Sequence, residues 1–333
     1  MQTVKKLRGI FRKILSNLSI FHDQKLPIMK KREEKIINFL SKKGEKIQKK
    51  KLENIKKTHK LFSNKVLDLV ISKKIRNFLR IDFIQQMFFV HNRLYIYKQL
   101  KLLKNDKKNW IKWRKLLTED RIGNPIKYFL YPISSGNRIR EVFHLKNFFD
   151  FTGFHYNRYD LILEIGGGYG NMARLFNKIN KNTKFIIYDT KEVNLLQYYY
   201  LKVNHVKVSF DYSKRANVYL VNSIKNLRFA LAKNKKNNFK KKLLIANWSL
   251  SETPISLRKK LKFTYSYFDH HLISFQNIFE NIDNYHYFKN IELKLNNKIK
   301  IKSLIKKIDT MSSALFNNLK HYYFFSKKIN FKK

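Results

Sequence analysis

Near the middle of the 333-residue chain stands the segment Asp160-Leu-Ile-Leu-Glu164-Ile-Gly166-Gly-Gly168-Tyr-Gly170-Asn-Met-Ala-Arg-Leu-Phe176. Its apolar start, Leu161 to Ile165, has the length of a buried strand. Three glycines follow at every second position, and the apolar residues after them recur at helical spacing. Glycine is needed where the backbone takes a positive φ or lies directly against a ligand. The segment therefore predicts a strand, a tight glycine turn and a helix whose first N–H groups can receive a polar ligand.

The spacing of the glycines distinguishes between two kinds of nucleotide site. A dinucleotide site needs Gly-x-Gly-x-x-Gly, and its third glycine would fall on Asn171. The observed Gly-x-Gly-x-Gly follows Glu164 by two residues, and a second apolar run ends on Asp189, roughly 20 residues after the glycines. A carboxylate at that position can accept hydrogen bonds from both hydroxyls of a ribose. This order resembles motif I of the class I S-adenosylmethionine-dependent methyltransferases.

Strand and helix patterns alternate from Asp160 onward, which predicts a parallel sheet with helices on both faces. The predicted strands are 160–166, 183–189, 206–210, 242–246, 272–275 and 321–325. A helix is expected over 216–233, and alternating apolar residues around Asn296-Asn297 predict a hairpin over 291–301.

The residues before the glycine segment follow helical periodicity. We expect a helix or helix pair over 30–60 and several packed helices over 64–117, because large apolar side chains recur there at helical spacing. Turn signals such as Gly123-Asn124-Pro125 indicate that the helical pattern gives way to a loop-rich segment near residue 121. The predicted organisation is a helical region over 1–120 and a Rossmann-like α/β methyltransferase domain over 121–333.

The composition excludes some chemistries and leaves others open. The chain has no cysteine, which excludes disulfides, thiolate zinc sites and a cysteine nucleophile. Its net charge of +49 suggests a polyanionic partner. Residues 1–150 hold 38 Lys and Arg against 12 Asp and Glu, and residues 151–333 hold 34 against 11. Because the excess is spread evenly in a chain rich in Lys, Asn, Ile, Phe and Tyr, we attribute most of it to A/T-rich codons, with attraction to polyanions or anionic lipid as the alternative.

Beyond motif I, the chain resembles the bacterial sugar O-methyltransferase family of the class I superfamily, over about residues 121–325. The residues that carry the resemblance are Ile122-Gly-Asn-Pro125, Leu163-Glu-Ile-Gly-Gly-Gly-Tyr-Gly170, Asp189-Thr-Lys-Glu192, Leu196-Gln-Tyr-Tyr-Tyr-Leu201 and Asn247-Trp-Ser-Leu-Ser-Glu252. Two departures stand out: Thr190-Lys191 replaces the family's Leu-Pro, and Thr253 replaces its Met. The resemblance implies methyl transfer from S-adenosylmethionine to a sugar hydroxyl in surface polysaccharide biosynthesis.

The resemblance and the strand order together give a set of candidate site residues. The expected cofactor contacts are Glu164, Gly166, Gly168, Gly170, Asp189 and, near the adenine, Asp211. A sugar hydroxyl attacks only when a base or metal removes its proton. The candidate bases are His270, His271 and Glu252, with His144 as a weaker candidate. No spacing typical of metal ligands is present, so no metal site is predicted.

The expected partners follow from this assignment. The substrate would be a sugar, a nucleotide sugar or a lipid-linked glycan, and the protein would be cytoplasmic. Residues 1–21 have the pattern of a basic amphipathic helix, which would either touch the anionic inner face of the membrane or pack against the helices of 64–117.

Two other functions remain open from the sequence. An RNA methyltransferase would fit the charge. Amino-directed nucleic-acid methylases, however, resemble one another in an Asn/Asp-Pro-Pro-aromatic run after the fourth strand, and here the run is Asn247-Trp-Ser-Leu, without prolines. A non-catalytic cofactor-binding scaffold is disfavoured by the retained Glu164, Asp189 and glycines.

Overall fold

The structure is a computed structural model. It describes residues 28–52, 60–88, 93, 95–153, 159–212, 215–235, 239, 241–298, 301–309 and 320–328. Residues 1–21, where an amphipathic helix is predicted, lie outside this set.

The first part of the described chain is helical, as the periodicity predicts. Its helices are α1 (Lys31–Leu52), α2 (Lys60–Ile71), the 3₁₀ helix Lys74–Arg80, α3 (Asp82–Met87), α4 (Tyr95–Asn105) and α5 (Trp110–Leu117). A short hairpin follows, formed by β1 (Lys127–Tyr128) and β2 (Tyr131–Ser135), and leads into α6 (Gly136–Thr152). Over 30–60, where a solvated helix or helix pair is predicted, α1 is helical, but its apolar residues Ile36, Ile37 and Leu40 are buried.

The rest of the described chain alternates strands and helices. In chain order the elements are β3 (Leu161–Ile165), α7 (Asn171–Ile179), β4 (Lys184–Tyr188), α8 (Lys191–Val203), β5 (Val208–Ser209), β6 (Val218–Val221), α9 (Ile224–Lys235), β7 (Lys242–Asn247), the 3₁₀ helix Ser249–Glu252, α10 (Ile255–Leu261), α11 (Phe263–Tyr267), β8 (His270–Gln276), β9 (Ile278–Phe279), β10 (Ile282–Asp283), α12 (Asn284–Lys298), β11 (Ile301–Lys307) and β12 (His321–Lys328).

The main sheet has eight strands in the order β11-β12-β8-β7-β3-β4-β6-β5. All neighbours from β8 to β5 are parallel, and β12 runs antiparallel to both β8 and β11. Numbered by their place among the long parallel strands, β6, β4, β3, β7 and β8 read 3-2-1-4-5, which is the Rossmann order. This confirms the predicted Rossmann-like α/β fold. The order reverses between β3 and β7, and ligands of open parallel sheets bind at such a switch point.

Two local predictions are wrong. The expected helix over 216–233 begins only at Ile224, because Val218–Val221 forms strand β6, buried at every residue. The expected hairpin over 291–301 is instead the end of α12 followed by β11. Phe288 and Leu295 lie two helical turns apart and are buried, whereas Leu293 is half-exposed, so the helical period decided the outcome.

By internal packing the chain divides into two compact units. The helical unit comprises Met1–Lys146, Gly168–Asn171 and Thr190–Val206, and the sheet unit comprises Asn147–Gly167, Met172–Asp189 and Lys207–Lys333. The domain boundary predicted between residues 120 and 121 stays a prediction. Within the described residues, no helix is both long and apolar enough to cross a membrane.

An apolar cluster packs against one face of the sheet in the sheet unit. Leu161, Leu163 and Ile165 of β3 contribute one face of that strand to it. Aromatic side chains extend the same cluster, including Phe275, Phe288 and Phe324. Strands buried on both faces read as continuous apolar runs, which is why the sequence pattern located them well.

The helical unit contains a buried charged network. The guanidinium of Arg138 is fully buried and donates to Glu119 Oε1 at 2.8 Å, Asp120 Oδ2 at 2.9 Å and Tyr200 Oη at 3.0 Å. The hydroxyl of Ser135 donates to the second Glu119 oxygen at 2.5 Å. Both carboxylates are therefore satisfied by partners within the unit, as buried charges require.

Candidate active site at the carboxyl edge of the sheet

The start of the glycine turn lies within the sheet unit and is fixed by backbone contacts. Gly166 has φ +70°, and its N–H donates to the carbonyl of Tyr188, the last residue of β4, at 2.9 Å. A Cβ on Gly166 would overlap the Cβ of Ser249. The hydroxyl of Ser249 in turn donates to the carbonyl of Ile165. Only glycine fits at this position, because the backbone is left-handed and the space is already filled.

The second half of the turn belongs to the helical unit, where α8 holds it. The side-chain amide of Gln197 donates to the carbonyl of Gly168 at 2.9 Å. Gly170 has φ +94°, and a Cβ there would come within 3.3 Å of Leu201. The hydroxyl of Tyr169 accepts a hydrogen bond from Asn137 at 3.0 Å. Gln197 and Leu201 lie one helical turn apart, so one face of α8 supports the turn.

Glu164 is a buried acid inside the central strand. It pairs in register with Ile187 of β4 and Ile245 of β7, so it lies near the carboxyl end of β3. Its side chain is 4% exposed. Along a strand the side chains alternate, so Glu164 is on the face opposite to Leu163 and Ile165. A buried carboxylate in a sheet is uncommon and marks a site of function or of specific polar packing.

The two other predicted acids lie at the same edge but on different strands. Asp189 directly follows β4, and its N–H donates to the carbonyl of Val221 at the end of β6. Asp211 is exposed and follows β5, the edge strand, with its N–H bonded to the hydroxyl of Ser209. Because β6 lies between β4 and β5, the strand that Asp211 follows is not a neighbour of β4. The residues after β6, beginning with Asn222, occupy the place beside Asp189.

The segment after β7 has an unusual backbone. Trp248 takes φ +61° and ψ −32°, a conformation that bulky residues rarely adopt. Its N–H donates to the carbonyl of Ser274 at 2.7 Å, and its indole N–H donates to Nδ1 of His321 at 3.1 Å. Strained residues of this kind persist only where their surroundings fix them, and they cluster at functional sites.

Glu252 lies at the end of the 3₁₀ helix that follows. Its Oε1 accepts from the side-chain amide of Gln276, the last residue of β8, at 3.3 Å. The hydroxyl of Ser251 lies 3.1 Å from the amide oxygen of the same Gln276. Burial raises the pKa of the Glu252 carboxyl, and the Gln276 hydrogen bond opposes part of that shift. A carboxylate with a raised pKa at the carboxyl edge has the properties of a general base.

Buried Arg258 fixes the backbone of residues 251–253 by hydrogen bonds. Its guanidinium donates to the carbonyls of Ser251 at 2.6 Å and Thr253 at 2.8 Å, and to the side chain of Asn284 at 2.7 Å. It also lies over the ring of Tyr287 at 4.9 Å. The guanidinium therefore holds the backbone on both sides of Glu252.

The structure places His270 and His271 at the other edge of the sheet. They are the first two residues of β8, which is parallel to β7, with His270 opposite Leu243. Both side chains are buried, and Nδ1 of His271 lies 2.5 Å from the hydroxyl of Ser326. Burial lowers the pKa of His270 to about 4 and that of His271 to about 3. Neither histidine has the position or the basicity that the prediction of a base at the carboxyl edge requires. His144 is also buried, with a pKa that burial lowers.

His321 is the histidine that sequence reasoning missed. Because β12 is antiparallel to β8, its first residue lies opposite Gln276, at the carboxyl edge. The indole of Trp248 can only donate, so Nδ1 of His321 is the acceptor, and the proton of the neutral imidazole is on Nε2. The antiparallel direction of the last strand was the missing signal, because it reverses which end of β12 faces the site.

The edge thus brings together Glu252, Gln276, Trp248 and His321, all within the sheet unit. Within the described ranges, no group of three or more His, Asp or Glu residues is arranged to hold a metal ion.

No protein family matches the chain by sequence. No curated protein matches it either. Solved structures do match in fold.

Three of these structures illustrate the likeness. An rRNA methylase from Streptococcus thermophilus is 10% identical, with a TM-score of 0.35, covering 52% of this chain and 89% of that one. A precorrin-6y C5,15-methyltransferase from Geobacter metallireducens is 10% identical, with a TM-score of 0.33, over 56% and 87%. A precorrin 8w decarboxylase from Methanobacterium thermoautotrophicum is 11% identical, with a TM-score of 0.31, over 52% and 83%.

Proposed function

We propose that this chain is an S-adenosylmethionine-dependent O-methyltransferase that acts on a hydroxyl of a sugar or glycan precursor. The observation that carries the proposal is the glycine turn at the switch point of a 3-2-1-4-5 sheet, with an acid at the end of the neighbouring strand β4. The resemblance of five sequence segments to sugar O-methyltransferases supplies the substrate class.

The residues present fit the cofactor. Gly166, Gly168 and Gly170 all have positive φ, a backbone conformation that glycine adopts without strain. Ser249 and Leu201 already lie where a Cβ on Gly166 or Gly170 would be, so the backbone groups of the turn would make its contacts with the cofactor. Asp189 at the end of β4 would accept hydrogen bonds from the ribose hydroxyls. Glu164 is in the central strand β3, two residues before Gly166. Bound there, the cofactor supplies an electrophilic methyl group on a sulfonium.

The residues after β7 and β8 would handle the acceptor. Glu252 takes the proton from the sugar hydroxyl, and Gln276 holds the carboxylate in position for that transfer. The indole of Trp248 and the imidazole of His321, joined by a hydrogen bond, would line the acceptor site at the same edge of the sheet. The site would also align the sugar oxygen with the methyl group, and holding the two reactants in this geometry accelerates the transfer.

The test is transfer of labelled methyl groups. Purified protein would be incubated with methyl-labelled S-adenosylmethionine and either a lipid-linked glycan fraction, a panel of nucleotide sugars, or total RNA. The proposal predicts label in a sugar fraction, with loss of at least about 10²-fold in rate for Glu252→Gln. Asp283→Asn, at an exposed acid of β10, is the matched control and keeps the rate. Label in RNA alone, or in none of the acceptors by protein that binds the cofactor, contradicts the proposed substrate class.

A further inference from the structure

Exposed apolar side chains and exposed basic side chains occur on the same adjacent elements of the helical unit. Five large hydrophobic residues that are 44% to 72% exposed fall between Tyr97 and Ile133. We call them the apolar set; they are Tyr97, Leu102, Ile111, Leu130 and Ile133. Scattered single apolar residues are normal on protein surfaces, so what matters is whether these five share one face.

Contacts place α4, α5 and the β1–β2 hairpin side by side. The ammonium of Lys104, at the end of α4, lies 5.2 Å from the ring centre of Tyr131 in the hairpin. Burial raises the pKa of the Tyr131 hydroxyl, and the nearby guanidinium of Arg114 in α5 opposes the shift. The N–H of Glu119, just after α5, donates to the carbonyl of Ile133 at 3.0 Å. The apolar set therefore belongs to one neighbourhood of adjacent elements.

The exposed charged side chains of this neighbourhood are basic. Seven lysines and one arginine between Lys98 and Lys115 are exposed. Three acids occur between residues 97 and 133, and each is bonded within the unit: Asp106 accepts from the indole of Trp113 at 2.7 Å, and Glu119 and Asp120 accept from Arg138. The exposed charge is thus left to the lysines and the arginine.

From this combination we propose that the face formed by α4, α5 and the β1–β2 hairpin docks on an anionic lipid bilayer. Aliphatic side chains enter the boundary between headgroups and acyl chains, while basic residues around them meet lipid phosphates. Trp110 beside Ile111, together with Tyr97 and Tyr131, supplies the amphipathic rings that suit the membrane interface. RNA is a poorer fit, because four of the five residues of the apolar set are aliphatic, and exposed aliphatic side chains are buried by a bilayer but not by a phosphate backbone. The proposal is independent of the methyl-transfer chemistry.

The experiment must separate insertion from the general attraction of a +49 chain to anions. Full-length protein would be sedimented with vesicles of phosphatidylcholine alone and of phosphatidylcholine with phosphatidylglycerol, at low and at moderate salt. Electrostatic adsorption is screened by salt, whereas insertion of apolar side chains is not. The matched variants are Ile111→Ser with Leu130→Ser in the proposed face, and Phe229→Ser, an exposed aromatic of α9 in the sheet unit.

We expect binding to the anionic vesicles at moderate salt. The partition coefficient of the Ile111→Ser/Leu130→Ser protein should fall about tenfold, and that of Phe229→Ser should not change. Equal losses in both variants, or no loss in either, overturn the proposal. Sensitivity to the two serines for RNA but not for vesicles would also overturn it and assign the face to nucleic acid.

A second readout does not depend on the folding of a variant. Brominated lipids quench tryptophans that lie in the bilayer, and Trp110 is the tryptophan on the proposed face. The wild-type protein should be quenched, and Trp110→Phe should remove most of that quenching while Trp113 and Trp248, both buried, remain. Wild-type protein that binds these vesicles without quenching lies on the surface by charge alone, and the proposal is then wrong. Methyl transfer to a soluble acceptor, measured in parallel, separates this result from the fate of the proposed enzyme.

Discussion

Single residues at the carboxyl edge show how the site is held in place. Trp248 keeps a left-handed backbone that costs about 1–3 kcal/mol, and hydrogen bonds to Ser274 and His321 fix it. The sequence located Glu252 and Asp189 correctly at that edge, because residues directly after parallel strands must lie there. The same reasoning could not select His321, since its position depends on the direction of β12. His270 and His271 were candidate bases because histidine titrates near neutral pH. They lie at the start of β8, at the edge of the sheet opposite to Glu252.

The titration of Glu252 gives a pH prediction. Burial raises its pKa above the ordinary value of 4.5, so the carboxylate form, needed for a base, appears only at higher pH. The initial rate should therefore rise with pH through an inflection above 4.5, and Glu252→Gln should remove that limb. A raised pKa also means that the ionised form costs stability: relative to Glu252→Gln, wild type should lose stability as pH rises from 4.5 through the folded pKa. Thermal unfolding at several pH values measures this, and a relative gain with pH would contradict the assignment.

The two acids after β4 and β5 make a matched pair. Asp189 directly follows β4, where we propose that the ribose binds, whereas Asp211 follows β5 and is separated from Asp189 by strand β6. Neighbouring strands lie about 4.8 Å apart. Asp189→Ala should weaken S-adenosylmethionine binding about tenfold to a hundredfold, because two charge-assisted hydrogen bonds are lost. Asp211→Ala should weaken it much less. Equilibrium dialysis gives both constants, and a larger effect at Asp211 would show that β5 rather than β6 flanks the cofactor.

At the scale of elements, three local structures differ from the predictions or were not predicted, and packing against other elements explains each of them. Strand β6 lies in a stretch for which the sequence predicts a helix. Val218–Val221 is extended because it pairs with β4 in the sheet. The predicted hairpin over 291–301 failed because Phe288 and Leu295 share a helical face that packs into the core. The 3₁₀ helix Ser249–Glu252 could not be predicted at all, since Arg258 and Asn284 that hold it come later in the chain.

Arg258 offers a test of how that element supports Glu252. Lysine keeps the charge but cannot reach Ser251, Thr253 and Asn284 together, so buried carbonyls lose their donors. Arg258→Lys should destabilise the protein by about 1–3 kcal/mol and lower kcat while leaving S-adenosylmethionine affinity near wild type. Arg228→Lys is the control, because Arg228 is exposed and lies over the ring of Phe263 at 4.2 Å, outside the Glu252 segment. If kcat is unchanged in the folded Arg258→Lys protein, Glu252 does not depend on this support.

For the whole molecule, the alternation of strands and helices after Asp160 was readable from the sequence, but the order of the strands in the sheet and the division into units were not. The glycine turn itself passes from one unit to the other, with Gly166 in the sheet unit and Gly168 in the helical unit. No composition change marks that division, because the positive charge is spread along the whole chain. For the same reason, the charge in the sequence could not indicate a docking face. That face became apparent only from the structure, through the exposure of Ile111 and the hydrogen bonds of the nearby acids within the unit.

The central claim is that the glycine turn receives S-adenosylmethionine, and calorimetric titration of the full chain tests it most directly. Gly166→Ala places a methyl group against Ser249, whereas Gly153→Ala, at φ +65° with open space around it, adds only the backbone penalty of alanine in the same left-handed conformation. Circular dichroism would confirm that both variants are folded. We predict saturable binding of one equivalent by wild type and by Gly153→Ala, competed by S-adenosylhomocysteine, and its loss in Gly166→Ala. Absence of binding by folded wild type, or equal affinity in folded Gly166→Ala, would contradict the account.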